Sequence, residues 1–142
     1  MSWLVFVYGT LKKGFPNYAA YMQSAEFAGT CQTVEKYPLV LNGDRQVPCL
    51  VNTPGKGFAV SGELYRVDDK CLQRLDELEG LGRPGGYLRC TIDVLVNQGT
   101  GPRRCQAQAY LMKPETVDDP RSSHLAEYTL KAAQKYRSKT AK

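Results

Sequence analysis

The sequence predicts a β-rich α+β domain with six or seven strands and two or three helices. Apolar runs of strand length and stretches of alternating apolar and polar residues recur along most of the chain. The strands outnumber the helices and do not alternate with them, which argues against a doubly wound parallel sheet. The chain of 142 residues is 42% hydrophobic and 23% charged, an ordinary composition for a globular protein. We therefore expect residues 1–142 to form a single domain.

The first predicted strand is the stretch around which the rest of the chain is organised. Trp3 to Tyr8 are all aromatic, β-branched or Leu, and such a run indicates a strand buried on both faces. The run stops at Gly9-Thr10, which turns the backbone sharply. A corner of this kind aims consecutive N–H groups at one point and can bind an anion or oxyanion. An ordinary turn would leave the same pattern, and both glycine-rich phosphate-binding motifs are missing here.

One helix in the middle of the chain has well-defined predicted ends. It runs roughly from Asp69 to Glu79, because Asp68 suits the N-cap and Gly80 the position just after the last turn. Gly62, before this helix, marks a bulge or a close backbone approach within a strand. The other two predicted helices run over Tyr18–Met22 and from Ser123 to about Arg137, and the second leads into a basic tail. The other predicted strands lie at 25–34, 38–41, 47–52, 60–67, 87–97 and 103–112. The last two strands would form a long hairpin.

Glu79 is the unusual residue of the middle helix. It falls on the stripe of apolar residues that faces the core, whereas Asp76 and Glu77 point away from that stripe toward water. Burial and the negative end of the helix dipole would both raise the pKa of a carboxyl group placed there. A second interpretation stays open, in which Glu79 bends out to solvent or pairs with Arg83 or Arg89.

The distribution of charge argues against nucleic acid or a membrane as a partner. The net charge is +5, but five of the nineteen basic residues lie in the last twelve positions, which is typical of a solvated tail. No dense run of Lys and Arg interleaved with aromatic residues occurs elsewhere. The N-terminal apolar run is too short for a membrane span and has no basic residue before it, so we expect neither a signal peptide nor a transmembrane segment.

Two residue types limit the possible chemistry. His124 is the only histidine, which excludes a multi-histidine zinc site and any catalytic triad that does not use this residue. The five cysteines are scattered, without a C-x-x-C motif, which indicates free thiols in a reducing compartment and hence a cytoplasmic protein. We therefore expect the chemistry to depend on carboxylates, tyrosines and backbone groups.

Two motifs in this order resemble the γ-glutamyl cyclotransferase-like superfamily. The first is Tyr8-Gly9-Thr10-Leu11, which is similar to the Y-G-[ST]-L loop of that family, and the second is LDELEG at 75–80, followed by Tyr87. Within the superfamily the chain is most similar to the γ-glutamylamine cyclotransferase branch and its plant, avirulence-induced-gene-like relatives. The similarity covers roughly residues 3–112 and is clearest in LVFVYGTLKKGFPN (4–17), YPLV (37–40), VP (47–48) and PGKGFAVSGELYRVD (54–68).

This resemblance implies a fold and a reaction. The fold would be a small mixed β-barrel of six or seven strands, flanked by two or three helices, with one cavity. In the reaction, the α-amine of an L-γ-glutamyl group attacks its own γ-carbonyl, which gives 5-oxoproline and a free amine. The substrate would be a small-molecule γ-glutamyl amine, and we expect a monomer that uses no cofactor and no metal.

The resemblance also assigns roles to residues. Glu79 would be the catalytic residue, as the base that removes a proton from the α-ammonium group and the acid that protonates the departing amine. The backbone of Gly9, Thr10 and Leu11 would bind the substrate carboxylate or the developing oxyanion. The side chains expected to line the substrate pocket are Tyr8, Val47, Tyr87 and Tyr110. The last two could equally be tyrosines of the core.

Three features depart from the γ-glutamylamine branch. Cys49 stands where the branch usually has an aromatic residue, the loop 80–86 is slightly longer and richer in glycine, and the C-terminal segment is not similar. These features lie where the pocket for the leaving amine would be shaped, so the identity of that amine stays open. Two other functions also stay open: a catalytically silent ligand-binding or signalling module on the same fold, and a protein that binds partners through its basic tail.

Overall fold

The computed structural model describes residues 2–98 and 101–137, which contain seven strands and three helices. The strands are β1 (Ser2–Val7), β2 (Glu26–Thr33), β3 (Leu39–Asn42), β4 (Val47–Leu50), β5 (Ser61–Asp68), β6 (Leu88–Gln98) and β7 (Gly101–Leu111), and the helices are α1 (Tyr18–Tyr21), α2 (Asp69–Leu78) and α3 (Leu130–Ala133). Five strands close into a barrel in the order β1-β5-β2-β6-β7, and β3 and β4 form a separate two-stranded sheet. The predicted α+β barrel is confirmed, but it has five strands because β3 and β4 pair with each other.

The first strand is covered on both faces, as its apolar sequence predicts. Phe6 and Tyr8 belong to the core cluster inside the barrel, whereas Val5 and Val7 belong to a second cluster outside it. Along its edges, β1 pairs with β5 in antiparallel and with β7 in parallel orientation. The parallel pair closes the barrel and makes it a mixed one.

The long hairpin of β6 and β7 continues the barrel wall from β1, which β7 pairs with, to β2, which β6 pairs with. Its two strands stay in register from the pair formed by Leu88 and Leu111 to the pair formed by Gln98 and Gly101. The side chains that alternate along one face of this hairpin fill the barrel; they are Cys90, Ile92, Val94, Val96, Cys105, Ala107, Ala109 and Leu111. The predicted hairpin and its apolar face are therefore confirmed.

Both predicted ends of helix α2 are confirmed. The Asp68 carboxylate accepts a hydrogen bond from the Cys71 N–H group at 2.8 Å, as an N-cap residue does. Gly80 follows the last turn with a φ of +68°, a conformation that glycine adopts without a steric penalty. The buried side chains of α2 pack on the outer faces of β1 and β5, so the helix ends beside the end of β1.

The predicted helix from Ser123 to about Arg137 is wrong in extent, because α3 covers only four residues with Thr129 as its N-cap. The preceding segment instead joins the sheets through three backbone hydrogen bonds, from Arg121 N–H to Leu41 O (2.7 Å), from Leu125 N–H to Leu39 O (2.8 Å) and from Ser61 N–H to Ala126 O (2.8 Å). The last of these bonds uses the carbonyl of Ala126, which a helix from Ser123 would have paired with the N–H of Leu130. The end of the predicted basic tail, 138–142, lies outside the described residues.

Two further findings concern the sequence predictions. None of the helices in the described ranges is long and apolar enough to cross a membrane. All five cysteines are free thiols, as predicted from their spacing.

The close backbone approach at Gly62 provides a stability test. A Cβ atom there would clash with the carbonyl oxygen of Val7 and would lie 2.7 Å from the ring of Phe6. We expect Gly62→Ala to lower the free energy of unfolding by about 1–3 kcal/mol, since overpacking displaces the barrel wall. Urea-induced unfolding followed by circular dichroism measures this loss.

The control for Gly62→Ala is Gly14→Ala. A methyl group at Gly14 meets no atom within 4 Å, and only its φ of +86° opposes the change. We expect this control to lose about 1 kcal/mol. A Gly62→Ala protein as stable as the wild type would contradict the close approach.

Candidate active site

A cavity of about 730 Å³ lies where the end of β1, the β3–β4 sheet and the end of α2 meet. All the site residues predicted from the sequence line it, namely Tyr8, Gly9, Thr10, Leu11, Val47, Glu79, Tyr87 and Tyr110. They come from four separate segments of the chain. The fold thus brings the two sequence motifs to one cavity.

The loop after β1 presents backbone N–H groups. A hydrogen bond from Lys12 N–H to Gly9 O at 3.1 Å closes a tight turn there. Asn17 holds the turn in place, because its N–H donates to Thr10 O and its side-chain amide to Thr10 Oγ1, both at 2.8 Å. The N–H groups of Thr10 and Leu11 donate to no other described residue. They are therefore available to an anion or an oxyanion.

The segment that starts at Val47 packs against this loop. A Cβ atom at Gly9 would lie 2.8 Å from Cγ of Pro48, so glycine permits the close approach. The hydroxyl of Tyr87 donates to Pro48 O at 2.9 Å and lies 3.4 Å from Sγ of Cys49. These contacts fix the ring of Tyr87 against β4, on the wall of the cavity.

The other two tyrosines use their hydroxyl groups within the protein. Tyr8 donates to Tyr110 O at 2.7 Å and accepts from Leu50 N–H at 3.4 Å. The Tyr110 hydroxyl donates to Oδ1 of Asp76 at 2.6 Å, and Tyr110 is a buried member of the core, as the second interpretation of the sequence allowed. Burial first, and then the charge of Glu79, hold the pKa of Tyr8 well above its usual value. This hydroxyl therefore stays protonated at neutral pH.

The prediction that Asp76 points to water is wrong, whereas Glu77 is exposed as predicted. Asp76 is half-buried, accepts the bond from Tyr110 and pairs with Nη1 of Arg89 at 3.6 Å. The reason is that β7 covers this side of the last helical turn with its Tyr110 side chain. Arg89 is thereby held by Asp76.

Glu79 stands at the C-terminal end of α2, half-buried and on the cavity wall. Its N–H donates to Leu75 O at 3.0 Å, and its carbonyl accepts from Tyr87 N–H at 2.9 Å. The loop 80–86 therefore begins and ends beside Glu79. Among the described residues that line the cavity, Glu79 has the only carboxylate. Its charge contributes to the raised pKa values of Tyr8, Tyr87 and Cys49, after burial, which is the larger cause in each.

Sequence reasoning missed several polar residues of the cavity wall, namely Asn17, Arg45, Arg83 and Tyr136. Asn17 lies inside the stretch 4–17 that carries the family resemblance, so a signal for it existed. Arg83 and Tyr136 lie in the loop 80–86 and the C-terminal segment, which the family resemblance connected with the pocket for the leaving amine, although it singled out neither side chain. Arg45 lies in a turn where no pattern pointed to a site. Within the described ranges, no group of three or more His, Cys, Asp or Glu side chains is placed to hold a metal ion.

The fold agrees with the comparisons with known proteins. The family model described as gamma-glutamyl cyclotransferase, AIG2-like, matches residues 5–130. Among solved structures, an AIG2-like protein from Mus musculus superposes with a TM-score of 0.81 at 33% identity, covering 96% of this chain and 95% of that one.

Curated proteins with similar sequences include two enzymes by name. Gamma-glutamylaminecyclotransferase B of Danio rerio is 48% identical over 102 residues, which are 69% of this chain and 52% of that protein. A putative gamma-glutamylcyclotransferase of Arabidopsis thaliana is 52% identical over 91 residues, 61% of this chain and 48% of that protein. The chain thus spans about half the length of these relatives.

The thiol of Cys49 gives a test of the cavity's electrostatics. Burial raises the pKa of this thiol to about 11, although a hydrogen bond with Tyr87 opposes the effect. Since the thiolate is the reactive form, about one Cys49 in a thousand would be ionised at pH 8, and we expect slow alkylation by iodoacetamide. The rate should rise with pH up to the region of the raised pKa. Mass spectrometry of the labelled peptide measures it.

Urea-unfolded protein is the control for this labelling, since an exposed thiol has its ordinary pKa of about 8.5. It should react far faster at pH 8 than the folded protein does. Equal rates for the folded and unfolded protein would contradict the burial of Cys49.

Proposed function

The chain belongs to the gamma-glutamyl cyclotransferase, AIG2-like family, and we propose that it is a γ-glutamylamine cyclotransferase. The enzyme would convert an L-γ-glutamyl amine into 5-oxoproline and the free amine. The observation that carries this proposal is the meeting of Glu79 with the Tyr8–Leu11 loop in one cavity. The cavity volume of about 730 Å³ suits a small molecule.

Glu79 has the role of base and then of acid in the proposed reaction. An α-ammonium group has no lone pair, so the Glu79 carboxylate first takes one of its protons. The amine nitrogen then attacks the γ-carbon, which forms the ring bond and a tetrahedral oxyanion. Collapse of the oxyanion breaks the bond to the amide nitrogen while Glu79 gives its proton to that nitrogen, so the amine leaves neutral. The ring nitrogen then loses its second proton to the Glu79 carboxylate, which passes it to the released amine. The carboxylate is thus restored at the end.

The loop after β1 stabilises the charge that develops in this reaction. The N–H groups of Thr10 and Leu11 are not used by other described residues, which suits binding of an oxyanion or of the substrate carboxylate. Such preorganised donors need no rearrangement when the charge forms. Removal of a comparable donor elsewhere lowers kcat by about 10²–10³.

Holding the substrate in the reactive conformation is the other main contribution of the enzyme to the proposed reaction. Because the attack is intramolecular, the enzyme must mainly hold the folded-back conformer, and good orientation can lower the barrier by several kcal/mol. The rings of Tyr8 and Tyr87 suit this role, since their hydroxyl groups are bonded to backbone carbonyls. A wall fixed in this way keeps its shape around the substrate.

We further propose a monomer that works in a reducing compartment such as the cytoplasm. The five free cysteines support this location, because oxidising compartments favour disulfides. A small-molecule substrate needs no nucleic acid or membrane as a partner.

Replacing the proposed base tests the function. We expect Glu79→Gln to lower 5-oxoproline release by a factor of about 100 or more, because glutamine keeps the shape but cannot accept the proton. The measurement is chromatographic detection of 5-oxoproline formed from a panel of γ-glutamyl amines that includes γ-glutamyl-ε-lysine.

The matched control is Glu77→Gln, an identical change two residues earlier on the exposed side of the same helix. It should turn over like the wild type. Equal activity of the Glu79 and Glu77 variants would exclude Glu79 as the base. Binding of these compounds to the wild type without any 5-oxoproline would instead identify a catalytically silent module.

A further inference from the structure

We infer that Arg45 and Arg83 form a subsite that selects γ-glutamyl amines whose leaving amine carries a carboxylate. The inference rests on the proposed function, because only that reaction defines a leaving amine. It specifies the substrate class, which the similarity to known proteins leaves open.

The charge of the cavity wall is the first argument. The charged side chains lining it within the described ranges are Glu79, Arg45 and Arg83. With Glu79 as a carboxylate, their sum is one positive charge. The γ-glutamyl group carries one ammonium and one carboxylate and adds no net charge. A carboxylate on the leaving amine therefore offsets the positive charge that these three side chains leave, and such complementarity favours the correct ligand.

No carboxylate of the described residues neutralises either arginine. Among the described residues, Arg45 and Arg83 take part in no ion pair, and the Arg45 guanidinium only reaches the carbonyl of Arg137, at 3.5 Å. Three other arginines are paired with carboxylates, namely Arg89 with Asp76, Arg104 with Asp93, and Arg121 with Asp44 and Asp119. A guanidinium has five N–H donors in a planar fork that matches a carboxylate.

Arg45 is held in place by the C-terminal segment. It lies half-buried in the turn between β3 and β4, and its carbonyl accepts a hydrogen bond from Arg137 N–H at 2.9 Å. Its positive charge reaches the cavity interior, because it opposes the rise in the pKa of Cys49 that burial causes. A carboxylate near Cys49 would therefore lie within the field of Arg45.

Arg83 lies in the loop that leaves Glu79. Its N–H donates to Gly80 O at 2.9 Å, and its carbonyl accepts from Gly86 N–H at 3.0 Å, which gives the loop a defined path. The side chain itself is exposed, at the cavity mouth. Arg83 thus follows Glu79, the group that protonates the leaving amine in the proposed reaction, by four residues on the same cavity wall.

Three substrates that differ in charge at one position test the subsite. They are the γ-glutamyl derivatives of 4-aminobutyrate, of its uncharged amide and of 1,4-diaminobutane, with a negative, a neutral and a positive terminal group. We expect kcat/KM of the wild type to be about ten times higher for the carboxylate than for the amide, and lowest for the ammonium. High salt should reduce this preference, since the subsite is partly open to water.

Removing both charges should remove the preference. In Arg45→Gln/Arg83→Gln, we expect the ratio of kcat/KM between the carboxylate and the amide to fall to about one. The control is Arg103→Gln, an exposed arginine of β7 that does not line the cavity. It should keep the wild-type ratio.

The possible outcomes separate the subsite from the proposed reaction. The inference is overturned if the wild type does not prefer the carboxylate, or if the double variant loses both substrates by the same factor, since the arginines would then bind the γ-glutamyl end. Dissociation constants of the same compounds are also measured by calorimetry with Glu79→Gln protein, in which substrate persists. A carboxylate preference there, without 5-oxoproline from the wild type, would refute the reaction and support the subsite.

Discussion

The burial of β1 on both faces is the constraint on which the rest of the structure depends. A strand without a polar face must be covered twice, and here the barrel interior covers Phe6 while helix α2 covers Val5 and Val7. The end of β1 therefore lies between the barrel and the end of α2. The turn at Gly9 and the carboxylate of Glu79 meet because these two elements pack on the same strand. The location of the cavity thus follows from the core.

Elements whose signals are local could be predicted from the sequence. The hairpin of β6 and β7 has a strict alternation, and α2 has a capping residue at each end, so neighbouring residues alone specify them. The separate β3–β4 sheet and the short α3 depend on partners far along the chain. The backbone bond between Leu39 and Leu125 is one example, since neither residue carries a sign of it. Tertiary hydrogen bonds decided against the helix that residues 123–137 would otherwise favour.

The candidate site likewise contains residues that could be predicted from the sequence and residues that could not. Tyr8, the loop Gly9–Leu11 and Glu79 belong to two motifs that follow each other in a fixed order, so the sequence alone identified them. The contacts of Asp76 with Tyr110 and Arg89 could not be predicted from the sequence. Helical periodicity shows which face of a helix is apolar, but not which strand covers the other face. Arg45 and Arg83 stand in turns, where residue type follows the turn and not the cavity. Their position on the wall emerges only from three-dimensional packing.

Few ionisable groups suffice for the proposed reaction because the substrate contains its own nucleophile. Positioning then replaces a second reactant, and one carboxylate can carry both protons, one after the other, from the attacking nitrogen to the leaving amine. The raised pKa values of Tyr8 and Tyr87 keep their hydroxyl groups neutral, so Glu79 has no competing base among them. In the proposed subsite the leaving amine is selected by Arg45 and Arg83, which lie in turns outside the hydrophobic core. Changes at Arg45 or Arg83 could therefore alter the substrate without disturbing the strand and helix that hold the chemistry.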